Sequence, residues 1–287
     1  MGMGMARNLL RAGHSVAAHN RTKEKTEALG VHGARVATCP ADAVRDADVV
    51  MTMVADDAAL EQIVFGSDGI ASEMKKDSIH LSHSTISAAL ARRLTAEHAQ
   101  RGQGYLSAPV FGRPEAAESK NLILAVAGPD RYIERCRPVF EATGRETFVV
   151  GLEPWQANVA KVCGNFLVIS LIEALGEAYA TLRKAGVAPL SFLEIMNALM
   201  GSPVMANYGR IIAEEKFEPA GFALKLGLKD VRLVLAAAEE CAAPMPLASL
   251  LHDQLLSALA QGQGELDWSS MTQVAARNAG LHTKGSS

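Results

Sequence analysis

Apolar residues follow two different periods in the two halves of this chain. Up to about residue 150, short β-branched runs alternate with alanine-rich stretches whose apolar residues recur at helical spacing. Such alternation is typical of repeated βα units, which assemble into a parallel sheet covered by helices. The predicted strands are 15–18, 49–54, 78–81, 104–107, 122–127 and 147–150, and the predicted helices between them are 23–29, 58–64, 88–100 and 131–141.

The pattern changes after Gly151, where long stretches of helical periodicity follow one another with few strand signals. Helices are predicted over 158–185, 190–199, 222–241 and 246–260. We place a domain change near 151–155. This gives an α/β domain over 1–151 and an all-α domain over 152–287.

Composition and charge narrow the classes of function. The 287 residues are 49% hydrophobic, and the formal net charge is −3 with 28 basic and 31 acidic side chains. A sequence-independent nucleic-acid binder needs a one-sided basic surface, so we expect no nucleic-acid partner. The four cysteines lie far apart without a Cys-x-x-Cys pair, which disfavours a zinc site and a disulfide framework. The histidines lack metal spacing, so we expect no metal.

The sequence predicts neither a membrane anchor nor a signal peptide. The most apolar stretch, 166–175, is interrupted by Glu173 and is shorter than the roughly 20 helical residues that cross a bilayer. The first residues lack a charged region followed by an apolar one. We therefore expect a cytoplasmic protein without a membrane partner.

The chain opens on part of a dinucleotide-binding fingerprint. A nucleotide-binding βαβ unit needs a strand, a glycine-rich turn and a helix whose free N–H groups receive the pyrophosphate. Met1-Gly2-Met3, with Gly2 as the last glycine of the fingerprint, predicts the pyrophosphate site. The preceding strand and the first two glycines are missing from the sequence. We predict a Rossmann-type doubly wound sheet and a longer native chain, since that strand normally lies in the middle of the sheet.

A second cofactor contact is predicted after the strand at 15–18. An NAD site normally has Asp or Glu there to bind the ribose hydroxyls, but this chain has Asn20-Arg21-Thr22. Arg21 suits a 2′-phosphate and stacks on an adenine, while Asn20 and Thr22 supply neutral hydrogen bonds. We therefore expect NADP as the cofactor, with NAD possible.

Three further segments carry motifs: 106–113 reads Leu-Ser-Ala-Pro-Val-Phe-Gly-Arg, 151–165 has Lys161 followed four residues later by Asn165, and 229–233 begins Lys-Asp. Together they resemble the β-hydroxyacid dehydrogenases, the family of the 3-hydroxyisobutyrate, tartronate semialdehyde and glyoxylate/succinic semialdehyde reductases. That family belongs to the superfamily that shares the NAD-binding domain of 6-phosphogluconate dehydrogenase. The segment 106–113 resembles their substrate loop. The segment 151–165 resembles their catalytic segment, in which a lysine is followed four residues later by an asparagine. The segment 229–233 resembles a Lys-Asp-Leu stretch beside the nicotinamide.

The resemblance implies a role for each matching residue. It implies that Lys161 is the general acid/base and that Asn165, on the same helix face, orients the substrate oxygen or the lysine. The implied substrate contacts are Ser107, Phe111, Gly112, Arg113 and Thr85. The implied cofactor contacts are Val54, Ala55, Thr85 and Lys229, in addition to Met1, Gly2, Met3, Asn20, Arg21 and Thr22.

The substrate loop departs from the family pattern in several places. Ser107 replaces the usual acid, Phe111 replaces a small hydroxyl residue, and Arg113 follows Gly112. These differences concern the shape and charge of the substrate pocket more than the reaction. A carboxylate on the substrate would find its anion site at Arg113 and at backbone N–H groups near Thr85 and Gly112.

Two other functions share this architecture. The imine reductases reduce a C=N bond with NADPH and usually lack a lysine at the position of Lys161. A non-catalytic NADP-binding or scaffold protein would also fit, but such relatives have lost that lysine. Lys161 and Asn165 together favour an oxidoreductase of a small β-hydroxy acid, aldehyde or keto acid. The resemblance further implies a homodimer or homotetramer, because the family commonly buries the apolar faces of its helical domain.

Overall fold

The computed structural model describes residues 1–281, which form two compact units. The first unit is Met1–Lys161, and the second begins at Val162. The end of the predicted second domain, 282–287, lies outside the described residues. The border between the units lies inside a long helix, whereas the sequence pattern changes near 151–155. The predicted domain limits therefore stay a prediction.

The first unit alternates strands and helices, as the sequence predicts. Its strands are β1 (Ala17–Ala18), β2 (Arg35–Val36), β3 (Val49–Thr52), β4 (Ile79–Ser82), β5 (Gly104–Ser107), β6 (Val110–Phe111), β7 (Leu122–Ala127) and β8 (Gly144–Gly151). Its helices are α1 (Gly2–Arg11), α2 (Lys23–Gly30), α3 (Pro40–Val44), α4 (Asp57–Phe65), α5 (Ile70–Glu73), α6 (Ala88–Gln100), α7 (Pro114–Glu118) and α8 (Asp130–Thr143).

The strands form two sheets in which parallel pairing dominates. Strands β1 and β2 pair with each other, and the six-stranded sheet has the order β3-β4-β5-β7-β6, with β8 beside β7. Strands β3, β4 and β5 are mutually parallel, β7 is antiparallel to β5 and β6, and β8 is parallel to β7. Within residues 1–281, no strand ladder joins the β1–β2 pair to the larger sheet. The predicted α/β fold is confirmed, whereas β2 and β6 were not predicted.

Helices cover both faces of the larger sheet. Side chains alternate between the two faces of a strand. On β5, Leu106 belongs to a cluster with α1 and α8, whereas Tyr105 belongs to a cluster with α4, α5 and α6. The sheet is therefore buried on both sides, which explains why β4 and β5 are buried along their whole length.

A chain of buried hydrogen bonds crosses the second of these clusters. Thr52 Oγ1 lies 2.8 Å from His80 Nε2, His80 Nδ1 lies 2.9 Å from His98 Nε2, and His98 Nδ1 lies 2.7 Å from Gln103 Oε1. The amide of Gln103 donates to the carbonyls of Ala71 and Met74. Since Gln103 Oε1 accepts, His98 Nδ1 carries a proton, and with both imidazoles neutral every bond has one donor when the Thr52 hydroxyl donates to His80 Nε2.

The second unit is all-α, as the sequence predicts. The long helix α9 (Pro154–Lys184) begins in the first unit and continues into the second. The remaining elements are α10 (Pro189–Met200), α11 (Pro203–Glu214), α12 (Leu224–Glu240), α13 (Pro246–Ala260), a 3-10 helix (Trp268–Met271) and α14 (Thr272–Asn278). Helices α11 and α14 were not predicted. Trp268 lies in the core, where its indole N–H donates to Tyr208 Oη over 2.7 Å.

Helix α9 is longer and more apolar than the sequence analysis expected. By length and composition alone it could cross a membrane, so the argument from the shortness of 166–175 is wrong. The core helix of a soluble protein passes the same test. Ile169, Ile172 and Tyr179 of α9 are fully or almost fully buried in the core of the second unit, and Glu173 is buried beside them. This packing identifies α9 as a core helix.

Candidate active site

The start of α1 forms one side of the predicted cofactor site. A Cβ on Gly2 would lie 3.8 Å from Met53 Cβ, so α1 begins next to the carboxyl end of β3. A Cβ on Gly4 would lie 2.8 Å from backbone atoms of α7, so only glycine allows this close helix packing. Within the described residues, no side chain caps α1. Its first N–H groups are therefore available to a pyrophosphate, which fits a dinucleotide.

The segments after β3 and β4 are joined at the same edge of the sheet. The backbone N–H of Val54 donates to Ser84 Oγ over 2.8 Å. This bond brings the predicted cofactor contacts Val54, Ala55 and Thr85 to one edge, since they are neighbours of the two bonded residues. Thr85 is partly exposed, whereas Ser84 is fully buried. The edge at the carboxyl ends of parallel strands is where open α/β sheets bind their ligands.

The Asn20-Arg21-Thr22 turn follows β1 and leads into α2. All three residues are exposed, and Asn20 Nδ2 donates to the carbonyl of Thr22 over 3.0 Å. Thr22 is the N-cap residue of α2. The side chain of Arg21 thus lies at the surface in the connection between β1 and α2. The adenine end of a dinucleotide binds near this connection in Rossmann-type folds.

Ser107 ends β5 in the interior of the first unit. It is fully buried, and its Oγ accepts a 2.8 Å hydrogen bond from Asn158 Nδ2 of α9. The Ser107 hydroxyl also lies 3.3 Å from the hydroxyl of Tyr105, and burial raises the pKa of Tyr105 to about 12. This geometry supports a role for Ser107 in fixing α9 to the sheet, and its contact with substrate stays a prediction. Asn158 was not predicted as a site residue, because a polar residue on a helix gives no signal of its partner.

The substrate loop turns back at Gly112. This residue has φ +138°, and a Cβ there would lie 2.7 Å from Leu122 Cδ2, so the position requires glycine. Before it, Phe111 lies in β6 opposite Ile123 of β7. After it, Arg113 begins α7 as its N-cap residue and is half-buried. The turn at Gly112 thus separates the aromatic residue Phe111 from the cationic residue Arg113 by a single position.

Lys161 is buried on α9 against the aromatic ring of this loop. The residue is only 7% exposed, and Lys161 Nζ lies 4.2 Å from the centroid of the Phe111 ring. Lysine is among the residues least often buried, so a buried ammonium at a predicted catalytic position is informative. The structure thus brings together two predicted site residues that are far apart in sequence. Lys161 and Phe111 were both predicted as site residues from the sequence, but their contact was not.

Further along α9, Asn165 lies one helical turn after Lys161, as the sequence predicts. Asn165 is 8% exposed, and its Nδ2 donates to Asp230 Oδ2 over 2.6 Å. Asp230 Oδ1 lies 3.0 Å from Lys229 Nζ. Asp230 therefore bridges two predicted site residues. Asp230 was not among the predicted site residues, yet it is only 2% exposed.

Two family descriptions together match most of the chain. The NAD binding domain of 6-phosphogluconate dehydrogenase matches residues 1–151, and the NAD-binding domain of NADP-dependent 3-hydroxyisobutyrate dehydrogenase matches residues 156–275. The chain belongs to the β-hydroxyacid dehydrogenase family. The resemblance inferred from the three sequence segments is therefore confirmed.

Several members of the β-hydroxyacid dehydrogenase family resemble this chain over nearly its whole length. An uncharacterized oxidoreductase of Bacillus subtilis, YfjR, is 45% identical over 94% of this chain and 95% of its own. Glyoxylate/succinic semialdehyde reductase 1 of Arabidopsis thaliana is 29% identical over 96% of this chain and 94% of its own. The crystal structure of 3-hydroxyisobutyrate dehydrogenase from Salmonella typhimurium superposes with a TM-score of 0.86 at 26% identity, covering 95% of both chains.

Membership of the family establishes the class of reaction. The protein is an NAD(P)-dependent dehydrogenase that acts on CH–OH groups, and its cofactor is NADP or NAD. A small-molecule substrate and a dinucleotide are thus its ligands. The start of α1 and the sheet edge at Val54, Ala55 and Thr85 fit that dinucleotide.

Proposed function

We propose that the protein is an NADP-dependent reductase or dehydrogenase of a small β-hydroxy acid or the corresponding aldehyde or keto acid, of the glyoxylate, succinic semialdehyde or 3-hydroxyisobutyrate type. Lys161 is its general acid/base. The observation that carries this proposal is the burial of Lys161 against the substrate loop. A lysine that served only solubility would extend into water.

Lys161 acts on the oxygen of the substrate. Reduction of a carbonyl builds negative charge on that oxygen, and the ammonium of Lys161 neutralises the charge by donating a proton. In the oxidative direction, the neutral amine accepts the proton of the alcohol. When bound, the nicotinamide supplies or accepts the hydride. Asn165, held by Asp230, presents its amide as a second hydrogen-bonding group on the same helix.

The substrate loop supplies the anion site for a carboxylate. The guanidinium of Arg113 suits a carboxylate in a bidentate contact, and the N–H groups near Gly112 and Thr85 add neutral donors. Phe111 replaces a small hydroxyl residue of the family pattern, which makes this part of the pocket more apolar. The proposed substrate therefore combines a carboxylate with a short apolar chain.

NADP is the proposed cofactor because of the turn after β1. Arg21 is exposed and follows the strand where a carboxylate would otherwise bind the ribose hydroxyls. A guanidinium pairs with a 2′-phosphate, and an NAD-specific site would instead repel that phosphate. The neutral side chains of Asn20 and Thr22 are compatible with this assignment. Lys229 is the proposed cation beside the nicotinamide.

We also infer a cytoplasmic homodimer or homotetramer. Helix α10 of the second unit carries large exposed apolar side chains: Leu190, Ile195, Leu199 and Met200. Several large exposed apolar side chains on one helix are typical of a protein–protein interface. All four cysteines are free, which suits a reducing compartment.

Turnover assays test the function directly. The oxidation of NADPH and NADH is followed by absorbance with glyoxylate, succinic semialdehyde and cyclic imines, and the reverse reaction with 3-hydroxyisobutyrate. Lys161→Ala is compared with Lys184→Ala, since Lys184 is an exposed lysine at the end of the same helix. We expect carbonyl-dependent NADPH oxidation that falls at least a hundredfold in Lys161→Ala alone. Imine turnover, or activity that survives in Lys161→Ala, would contradict the proposal.

A further inference from the structure

The ring of Phe111 occupies a fixed position in front of Lys161. Phe111 is held in β6, where it pairs with Ile123, and the glycine turn at Gly112 follows it directly. The Lys161 Nζ lies 4.2 Å from the ring centroid, well inside the roughly 6 Å over which a cation and an aromatic face attract each other. The two side chains therefore form a cation–π pair inside the first unit.

Burial gives this contact its importance. The residue Lys161 is 7% exposed, so its ammonium has lost most of its water shell. Desolvation disfavours the charged form of a lysine. The negative face of an aromatic ring counteracts this loss, because it attracts the ammonium but gains little from the neutral amine. The ring thus stabilises the protonated lysine and restricts its side chain to one position.

His83 and Tyr105, two buried titratable side chains near the substrate loop, supply no charge of opposite sign to the ammonium. Burial lowers the pKa of His83, which is bonded to the carbonyl of Ala108, to about 4. Burial also raises the pKa of Tyr105 to about 12. Both are therefore neutral at neutral pH. The remaining charge on the substrate loop is the guanidinium of Arg113, which has the same sign as the ammonium.

We propose that Phe111 is the positioning residue of Lys161, whose ring holds the ammonium at the substrate oxygen and favours its protonated form. The catalytic meaning of this inference rests on the function proposed above. The contact itself involves no substrate and is testable without turnover. Its chemical consequence is that the ring sets the pH range in which Lys161 acts as the acid.

The test compares variants that remove the ring with one that keeps it. Phe111→Leu and Phe111→Met preserve an apolar side chain of similar size, whereas Phe111→Tyr preserves the aromatic face. Phe148→Leu is the matched control, because Phe148 is an exposed phenylalanine of β8. The protonation of Lys161 is followed by NMR of its Cε in protein labelled with 13C-lysine, and the signal is assigned with Lys161→Arg.

We expect the titration midpoint of Lys161 to fall by about half to one and a half pH units in Phe111→Leu and Phe111→Met. It should stay unchanged in Phe111→Tyr and Phe148→Leu. In turnover assays of the ringless variants, kcat for carbonyl reduction should begin to fall at a correspondingly lower pH than in the parent protein. Their KM for NADPH should stay constant. An unchanged midpoint in folded ringless variants, or an equal shift in Phe111→Tyr, would overturn the inference.

The two proposals fail separately in this design. If the midpoint shifts in the ringless variants but no carbonyl substrate is turned over, positioning by Phe111 is supported and the proposed function is contradicted. If carbonyl turnover depends on Lys161 but the midpoint does not move, the function stands and the role of Phe111 is rejected.

Discussion

Asn165 donates a 2.6 Å hydrogen bond to Asp230, and both side chains are buried in the second unit. The carboxylate of Asp230 also pairs with Lys229, so a single acidic group holds an amide and an ammonium. Both of these residues were predicted from the sequence as site residues. Asp230 therefore keeps the amide of Asn165 oriented while it compensates a neighbouring positive charge.

Removal of this carboxylate should lower the stability of the protein. We expect Asp230→Ala to lower the free energy of unfolding by about 2–4 kcal/mol, because it leaves a buried amide and a partly buried ammonium without their acceptor. Urea unfolding measures this loss. The control is Asp253→Ala, whose carboxylate is exposed. Equal stability of the two variants would contradict the bridging role of Asp230.

The choice between NADP and NAD should depend on Arg21. We expect Arg21→Ser to raise KM for NADPH roughly thirtyfold, since a charge-assisted hydrogen bond contributes about 2 kcal/mol. KM for NADH should change little, because NADH has no 2′-phosphate. Steady-state kinetics with both cofactors measure the ratio. Arg45→Ser, an exposed arginine at the end of α3, is the control. A parallel rise in both KM values would show that Arg21 does not read the phosphate.

Glu173 should make the protein less stable in alkaline solution. Burial, followed by the charge of Glu177, raises the pKa of Glu173 to about 7. Within the described residues neither of its oxygens has a hydrogen-bond partner. The stability that the neutral carboxyl group allows is therefore fully present below its usual pKa of 4.5. It is lost as the pH rises from there through about 7, where the buried group ionises.

The test of this prediction is Glu173→Gln, which is neutral at every pH. We expect the variant to be more stable than the parent by about 3 kcal/mol near pH 8, with the difference vanishing near pH 4.5. Urea unfolding at both pH values measures it, and Glu194→Gln, on the exposed side of α10, is the control. A difference that does not depend on pH would exclude ionisation as its cause.

The buried histidines should have the opposite pH dependence. Burial lowers the pKa of His80 and His98, and it lowers that of His83 from 6.5 to about 4. As the pH falls below 6.5, the unfolded chain takes up protons that the folded protein cannot accept. The stability present above pH 6.5 is therefore lost toward pH 4, with His83 alone contributing on the order of 3 kcal/mol.

This acid loss is best measured in Glu173→Gln, because that variant removes the opposing effect of the carboxyl group. Unfolding in urea is compared between about pH 7 and pH 5. Replacement of the exposed His19 by Gln should leave the slope unchanged, whereas His98→Gln should reduce it. An equal dependence of stability on pH with and without His98 would contradict the contribution of this buried histidine to the acid loss.

The sequence predicted most of the long elements, with α11 as an exception, and missed the two-residue strands β2 and β6. Strands β5 and β7 and helices α6 and α13 lie where the apolar pattern places them. Strands β2 and β6 have two residues each, which is too short for any period to appear. Helix α11 was missed because proline, glycine and polar residues interrupt its pattern. These elements depend on partners that are distant in sequence.

The candidate site shows the same division. The motifs in the sequence were sufficient to predict Lys161, Asn165 and Phe111 as site residues. It could not show that Phe111 faces Lys161, nor that Asp230 accepts from Asn165 over a separation of 65 residues. Such contacts arise from tertiary packing, and a single sequence contains no pairing information about them. Residues that position other residues are therefore harder to predict than residues that match a motif.

The hydrogen bond between Asn158 and Ser107 limits how this substrate loop could have diverged from its relatives. An aspartate at position 107, the usual family residue, would place a carboxylate in a site without solvent, beside the hydroxyl of Tyr105. The amide of Asn158 and the hydroxyl of Tyr105 could donate to that carboxylate, but they would replace only part of the hydration that its charge loses on burial. A reversal of this substitution therefore requires compensating changes around it. The substrate loop of a relative, grafted into this protein, should therefore keep the protein stable only when the side chains around position 107 are changed with it.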